Sequence, residues 1–191
     1  MNPTSTRERI VAAADRLFYQ QGFEQTSFTH IAEAVGITRG NFYYHFKSKD
    51  DILDAVIAWR LDATGAMLAR WEAEGGDAAA RLRCFIDMLI ANRAPIMDYG
   101  CPVGTLCSEL AKLGHPSQPQ AAQIFTLFRS WLRRQFELLG RHKDADWLAM
   151  HLLARSQGVA TLANAFHDEA FIRNEVEHLY QWLQGESKCL S

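Results

Sequence analysis

Across its 191 residues the chain is poor in the residues that staple, chelate or span. The four cysteines, at 84, 101, 107 and 189, contain no C-x2-C pair, so neither a disulfide framework nor a zinc ligand set is expected. No apolar run approaches the roughly eighteen residues of a membrane span. The first nine residues, MNPTSTRER, have no apolar stretch of the kind that opens a secreted chain, and an intracellular, cytoplasmic protein is expected. Valine is scarce, at six residues against 26 alanines and 20 leucines, which disfavours sheet. Proline is scarcer still and crowded: Pro95, Pro102, Pro116 and Pro119 lie in one stretch, which leaves 4–94 and 120–191 proline-free, as long helices require. Neither sign of charge dominates (20 basic, 22 acidic, net −2), so the whole chain is not a basic nucleic-acid glue. G-x-S-x-G, H-E-x-x-H, phosphate-loop and dinucleotide patterns are missing, so no enzyme chemistry, cofactor or metal is expected.

What is present is helix, with its punctuation. A hydrophobic content of 48% with 22% charged residues suits a globular chain that buries a real core. Ser5 with Glu8 forms a capping box before the apolar stripe of Ile10, Ala13, Ala14, Leu17 and Phe18, and Gly22 stops that helix. A second helix follows Ser27 and stops at Gly36. A third covers 38–45, and Ser48 with Asp51 opens a long fourth that fades before Gly75-Gly76. Asp77 opens a fifth, closed before Pro95. Further helices are predicted over about 102–113, 118–139, 144–166 (capped by Asp144) and 168–184 (capped by Asp168). The expected fold is all-α, with about nine helices, divided near residue 47 into a small domain (1–47) and a larger one (48–191).

The second and third helices, joined through Gly36-Ile37, have helix-turn-helix spacing. From 37 to 49 the chain carries Arg39, Lys47 and Lys49 and no acid, with His45 besides and Tyr43 and Tyr44 as hydroxyl donors. Phosphate contact needs basic and hydroxyl donors, and base-edge reading needs Arg or Asn on an exposed helix. Arg39 has the reach for a guanine edge, Gly40 leaves room for close approach, and Asn41 suits an adenine edge or a phosphate. A solvated helical hairpin with aromatic packing fits the same pattern, and so does a helical enzyme or small-molecule-binding protein that never meets DNA.

The run from Thr26 to Leu53, TSFTHIAEAVGITRGNFYYHFKSKDDIL, resembles the signature of the TetR family of bacterial transcriptional regulators, with its Ile-Ala pair, Gly turn and Tyr-x-His-Phe-x-x-Lys run. The resemblance covers about the first 55 residues. It implies a DNA-binding head, a helical effector-binding body, a homodimer and a near-palindromic operator in double-stranded DNA. It places Ser27 and Thr29 at phosphate, Arg39 and Gly40 at base edges, Tyr43 and His45 at phosphate, and the N–H and ammonium of Lys49 at phosphate. His30 stands where the family often has an acid. Phe42 and Phe46 read as core.

The body carries apolar residues on its last two helices, among them Leu162, Phe166, Val176 and Leu179, in surplus over one core contact; either they close the monomer or they form the dimer that the resemblance implies. Pro102 suits a first helical position, which puts Cys101 at the N-cap, where the helix's partial positive charge favours a reactive thiolate; a small cap in place of serine fits as well. The Gly-Cys-Pro-x-Gly run resembles a TetR subgroup of N-ethylmaleimide-responsive repressors. Cys107, Met88, Met97, Tyr99, Phe125 and Trp131 are the other candidates for a site that takes a small apolar or electrophilic effector, with plain core as the alternative.

Overall fold

A computed structural model describes residues 5–74 and 76–188; the side chains of Arg39, Ser187 and Lys188, and the whole of Cys189, lie outside the described residues. Among these the chain forms ten helices and no strand: α1 (Thr6–Gln21), α2 (Phe28–Val35), α3 (Arg39–His45), α4 (Lys49–Glu74), α5 (Ala78–Ala91), α6 (Arg93–Tyr99), α7 (Pro102–Lys112), α8 (Gln118–Leu138), α9 (Ala145–Phe166) and α10 (Glu169–Lys188). The all-α expectation holds. The helix that the sequence does not announce is α6. Pro95 looks like a terminator, yet it is the third residue of α6, inside the first turn, where a backbone N–H has no intrahelical acceptor to lose.

The caps follow the sequence closely. Ser5 and Glu8 exchange both bonds of a capping box, Asp77 accepts from Ala80 N at 2.7 Å, and Asp168 accepts from Phe171 N at 3.1 Å. Asp144 holds the N-cap position of α9 but makes no capping bond. Its carboxylate is taken instead by the guanidinium of Arg141, which also grips Glu186, and the charged donor outcompetes a neutral backbone amide.

The helices group into two compact units. The first holds the residues up to Ala63 together with Thr105–Ile124, so it takes in more chain than the 1–47 segment expected from the sequence. Its core joins Ile10, Ala14 and Phe18 of α1, Ile31 and Val35 of α2, Phe42 of α3, Phe46 beyond it, and Ile52, Leu53, Val56 and Ile57 of α4 to Leu106 and Leu110 of α7. At about 1.5–3 kcal/mol per fully buried large apolar side chain, the two α7 leucines are a substantial part of what holds so small a unit together. Phe42 and Phe46, 1% and 3% exposed, are core as expected. A part-buried ion pair at 2.5 Å, Arg60 to Asp15, ties α4 to α1.

The second unit holds Thr64–Gly104 and the chain from Phe125 onward. There α5 and α9 both pack on α10, and α6 packs on α9. Leu82, Phe85, Ile86, Leu132, Phe136, Leu148, Leu152, Ile172, Leu179 and Leu183 are all buried, and Phe85 meets Phe128 edge-on at 5.6 Å.

Candidate nucleic-acid interface

The helix-turn-helix is built from two short, individually capped helices, α2 and α3. Ser27 caps α2: its Oγ accepts from His30 N at 3.2 Å, and its own N–H donates to His30 Nδ1 at 3.3 Å. The imidazole therefore fills the place that a glutamate takes in the usual box, and accepting through Nδ1 puts the remaining ring proton on Nε2. Gly36 ends α2 in the left-handed region (φ 72°, ψ 39°), a conformation glycine adopts without steric cost, and Arg9 Nη2 closes the same end on Val35 O at 2.7 Å. Thr38 then caps α3 through Asn41 N at 3.4 Å.

Within α3 the faces separate cleanly. Phe42 is inward and meets Phe28 of α2 edge-on at 5.1 Å. Gly40, Asn41, Tyr43 and Tyr44 are exposed, Tyr44 at 79%, and His45 is half-buried against Tyr44. A Cβ placed on Gly40 would meet nothing within 4 Å, so the fold of this chain does not itself demand glycine there. Ser27 is exposed and Thr29 half-buried at the start of α2. The side chain of Arg39, which opens α3, lies outside the described residues.

Two basic side chains of this region are bonded to backbone carbonyls. Lys49 does not present a free ammonium: Nζ donates to Phe23 O at 3.0 Å and Glu24 O at 3.2 Å and lies 4.3 Å from the centre of the Phe23 ring. It is a strut of the α1–α2 turn, because the carbonyls that close that turn need a donor and the start of α4 brings one. Lys47 Nζ likewise donates to Tyr43 O at 2.6 Å, closing the end of α3. The start of α4 supplies its own anion as well. Asp51 accepts from Lys47 N and Ser48 N at 3.1 and 3.0 Å while Ser48 Oγ accepts from Asp51 N at 3.0 Å; hydrogen bonds to the carboxyl, from the Ser48 side chain foremost and then from the Lys47 and Ser48 amides, hold it below its usual range.

The expected effector residues are spread over α5 to α8 and the residue before α7. Cys101 stands just before α7, its Sγ accepting from Gly104 N at 3.4 Å. Cys107, six residues on, belongs to the other unit and packs against the core of the head. Met88, Met97 and Tyr99 are half-buried on α5 and α6. Phe125 lines a groove of about 320 Å³ between α8 and α9 with Thr126, Arg129, Met150, Leu153, Ala154 and Gln157. Trp131, almost two turns farther along α8, is buried beside Trp71 at 5.6 Å with no hydrogen-bond partner for Nε1. Gln135, one turn on, is completely buried, and its Oε1 is unpartnered too. Sequence reasoning did not single out Gln135; a glutamine in the apolar stripe of α8 is the available signal.

The dimer candidates divide. Val176 and Leu179 are 5% and 0% exposed and close the core of their own unit, because the apolar stripe of α10 at 172, 176, 179 and 183 is consumed by packing within the unit. Leu179 presents no surface, and Val176 reaches only the lining of a groove with Asp87, Ile90 and Tyr180. Leu162 and Phe166 are 44% and 73% exposed, and Trp147 and Met150 of the same helix, missed by the sequence reading, are 62% and 41% exposed.

No group of three or more metal-ligating side chains occurs among the described residues, and no described helix is long and apolar enough to cross a membrane. A capped helix-turn-helix with an acid-free, exposed second helix defines the head of a DNA-binding protein. Residues 10–56 match the model of bacterial regulatory proteins of the tetR family. An uncharacterized HTH-type transcriptional regulator in the lacX 3' region of Lactococcus lactis is 31% identical over 175 residues, 87% of either chain. The crystal structure of a TetR transcriptional regulator from Legionella pneumophila superposes with a TM-score of 0.83 at 29% identity, over 95% of this chain and 98% of that one. The reduced form of Escherichia coli NemR shares the fold alone, with a TM-score of 0.74 at 18% identity over 91% and 96% of the two chains. This chain belongs to the TetR family and is a helix-turn-helix transcriptional regulator.

Proposed function

We propose that the protein is a cytoplasmic, homodimeric repressor that reads a near-palindromic operator through α3 and lets go when a small apolar or electrophilic effector engages its second unit. The observation that carries the DNA-reading half is the exposed face of α3, where Gly40, Asn41 and Tyr44 stand clear of the core with no acid between 37 and 49. Arg39 and Asn41 are assigned to base edges, and Gly40 to the close approach they require. Ser27, Thr29, Tyr43 and His45 are assigned to phosphate, with the peptide N–H of Lys49 at the start of α4 as the remaining contribution of that residue. Two copies paired through the α9 face of Trp147, Met150, Leu162 and Phe166 would present two readers about one helical turn of DNA apart, or a multiple of it. Selection of duplexes from a random pool by the purified protein tests this reading, with enrichment of a two-fold symmetric site expected.

On the effector, one observation favours a thiol route. The sulfur of Cys101 is the hydrogen-bond acceptor for the first turn of α7, so an electrophile that adds to it removes a cap and adds bulk at a helix start. The unpartnered Trp131 Nε1 and Gln135 Oε1 favour a reversible ligand that offers both an acceptor and a donor. Release in either case requires an effector that prefers the conformation unable to bind DNA, since equal affinity for both shifts nothing.

A further inference from the structure

The α1–α2 turn receives polar partners from two distant parts of the chain. Gly22 ends α1 at φ +91°, which leaves the N–H groups of Phe23 and Glu24 outside any helix. Both are taken by one carboxylate: Glu109 Oε2 accepts from Phe23 N at 2.9 Å, and Oε1 accepts from Glu24 N at 2.9 Å. The carbonyls of the same two residues are held by Lys49 Nζ. A Cβ on Gly22 would lie 3.0 Å from Glu109 Oε1, so the carboxylate seats against the turn as closely as glycine allows. Phe23 is further enclosed by Phe18 at 5.3 Å and His115 at 5.2 Å, both edge-on.

From this turn a short run of contacts leads to the reader. Thr26, 1% exposed, donates to Gly22 O at 2.7 Å and accepts from Gln21 Nε2 at 3.3 Å. Ser27 follows at once as the cap of α2, and Phe28 then packs on Phe42 and Tyr43 at 5.1 and 5.5 Å. Glu109 is delivered by α7, which is anchored in the same core by Leu106 and Leu110 on either side of it.

We propose that Glu109 is a positioning residue for operator reading: its carboxylate fixes the α1–α2 turn through the amides of Phe23 and Glu24 and thereby sets where α2 and α3 present their side chains. The inference rests on the DNA-reading function proposed above. A carboxylate is the group the turn needs, because it offers an acceptor oxygen to each amide, whereas a glutamine would oppose one of them with its own NH2 donors.

The test uses the full chain as wild type, Glu109→Gln and Glu109→Asp. Amide hydrogen exchange is followed at residues 23 and 24, and affinity is measured on the selected duplex and on an unrelated one at the same salt. In the wild type both amides are protected. In Glu109→Gln they exchange faster while the amides of Ile31 and Val35 do not, and specific affinity falls by about tenfold or more, the loss of one hydrogen bond to a charged group. Affinity for the unrelated duplex falls less than this, because the sequence-independent attraction to phosphate does not need the base readers in register. Glu109→Asp retains the charge with a shorter reach and falls between the two. Unprotected amides at 23 and 24 in the wild type would overturn the proposal before any variant is made. Specific affinity unchanged in both variants would overturn it while leaving the DNA-reading function intact. A wild type that selects no duplex would overturn that function and this proposal together.

Discussion

Lys49 grips Phe23 twice, with its ammonium 3.0 Å from the carbonyl oxygen and 4.3 Å from the centre of the ring. A side chain that the sequence assigns to phosphate is thus a structural brace between the start of α4 and the end of α1. Lys49→Met is expected to lower the unfolding free energy by about 1–2 kcal/mol, a part-exposed cation–π contact plus hydrogen bonds to a charged donor. It should leave the salt dependence of operator binding unchanged, where loss of a phosphate contact would reduce the slope by about one unit. Urea denaturation and affinities at several salt concentrations check both halves.

The capping box at the start of α4 carries a pH signature. Hydrogen bonds from Ser48 Oγ and from the amides of Lys47 and Ser48 favour the ionised form of Asp51 and lower its pKa from 3.8. A carboxyl whose folded pKa is depressed stabilises the fold above its unfolded pKa and loses that contribution as pH falls through the folded value. Asp51→Asn should therefore melt below wild type at neutral pH, and the gap should narrow once pH drops below about 4. Parallel thermal melts from pH 7 to pH 3 measure it, and a gap that widens in acid would contradict the assignment.

Burial separates two kinds of leucine on the last helices. Leu179 is inaccessible, whereas Leu162 and Phe166 face outward. Leu179→Ala should cost about 2–5 kcal/mol in unfolding free energy by leaving a cavity. Phe166→Glu should keep the melting temperature of the isolated chain and shift sedimentation toward monomer, with loss of operator binding. A dimer that survives Phe166→Glu and Leu162→Arg together would place the interface elsewhere.

Local features were legible in the sequence and remote pairings were not. Ser5–Glu8, Ser27, Gly36, Ser48–Asp51 and Asp168 are short-range signals, and the structure uses each as read. Pro95 misled because a proline marks either an end or a first turn, and only the backbone that follows decides. The stripe on α10 shows which face is apolar but not what covers it, so Val176 and Leu179 read equally well as core or interface. Glu109 and Phe23 lie 86 residues apart, and no periodicity reports that a carboxylate on α7 meets two amides of the α1–α2 turn. Surroundings are equally remote information: Phe125 and Trp131 share a helix yet meet different neighbours.

Cys101 separates the two effector routes. Cys101→Ser keeps an oxygen that can accept from Gly104 N and removes the nucleophile. In the wild type, addition of the thiolate sulfur across the N-ethylmaleimide double bond forms a C–S bond, and the proton ends on the ring carbon. If that adduct drives release, Cys101→Ser binds the operator normally and no longer lets go after N-ethylmaleimide. Release by both proteins at the same dose would exclude Cys101 as the sensor.

Operator selection by wild type and by Arg39→Ala, run side by side from one random pool, tests the central claim most directly. By sequence Arg39 is the one long cation of α3. The wild type is expected to enrich a two-fold symmetric site with half-sites about one helical turn apart or a multiple of it. Arg39→Ala should enrich the same symmetric frame with one base position per half-site relaxed, at a cost of about 1–3 kcal/mol on the wild-type site. A wild type that enriches no symmetric sequence, or an Arg39→Ala variant that selects the unchanged site at unchanged affinity, would contradict the assignment of α3 as the reader.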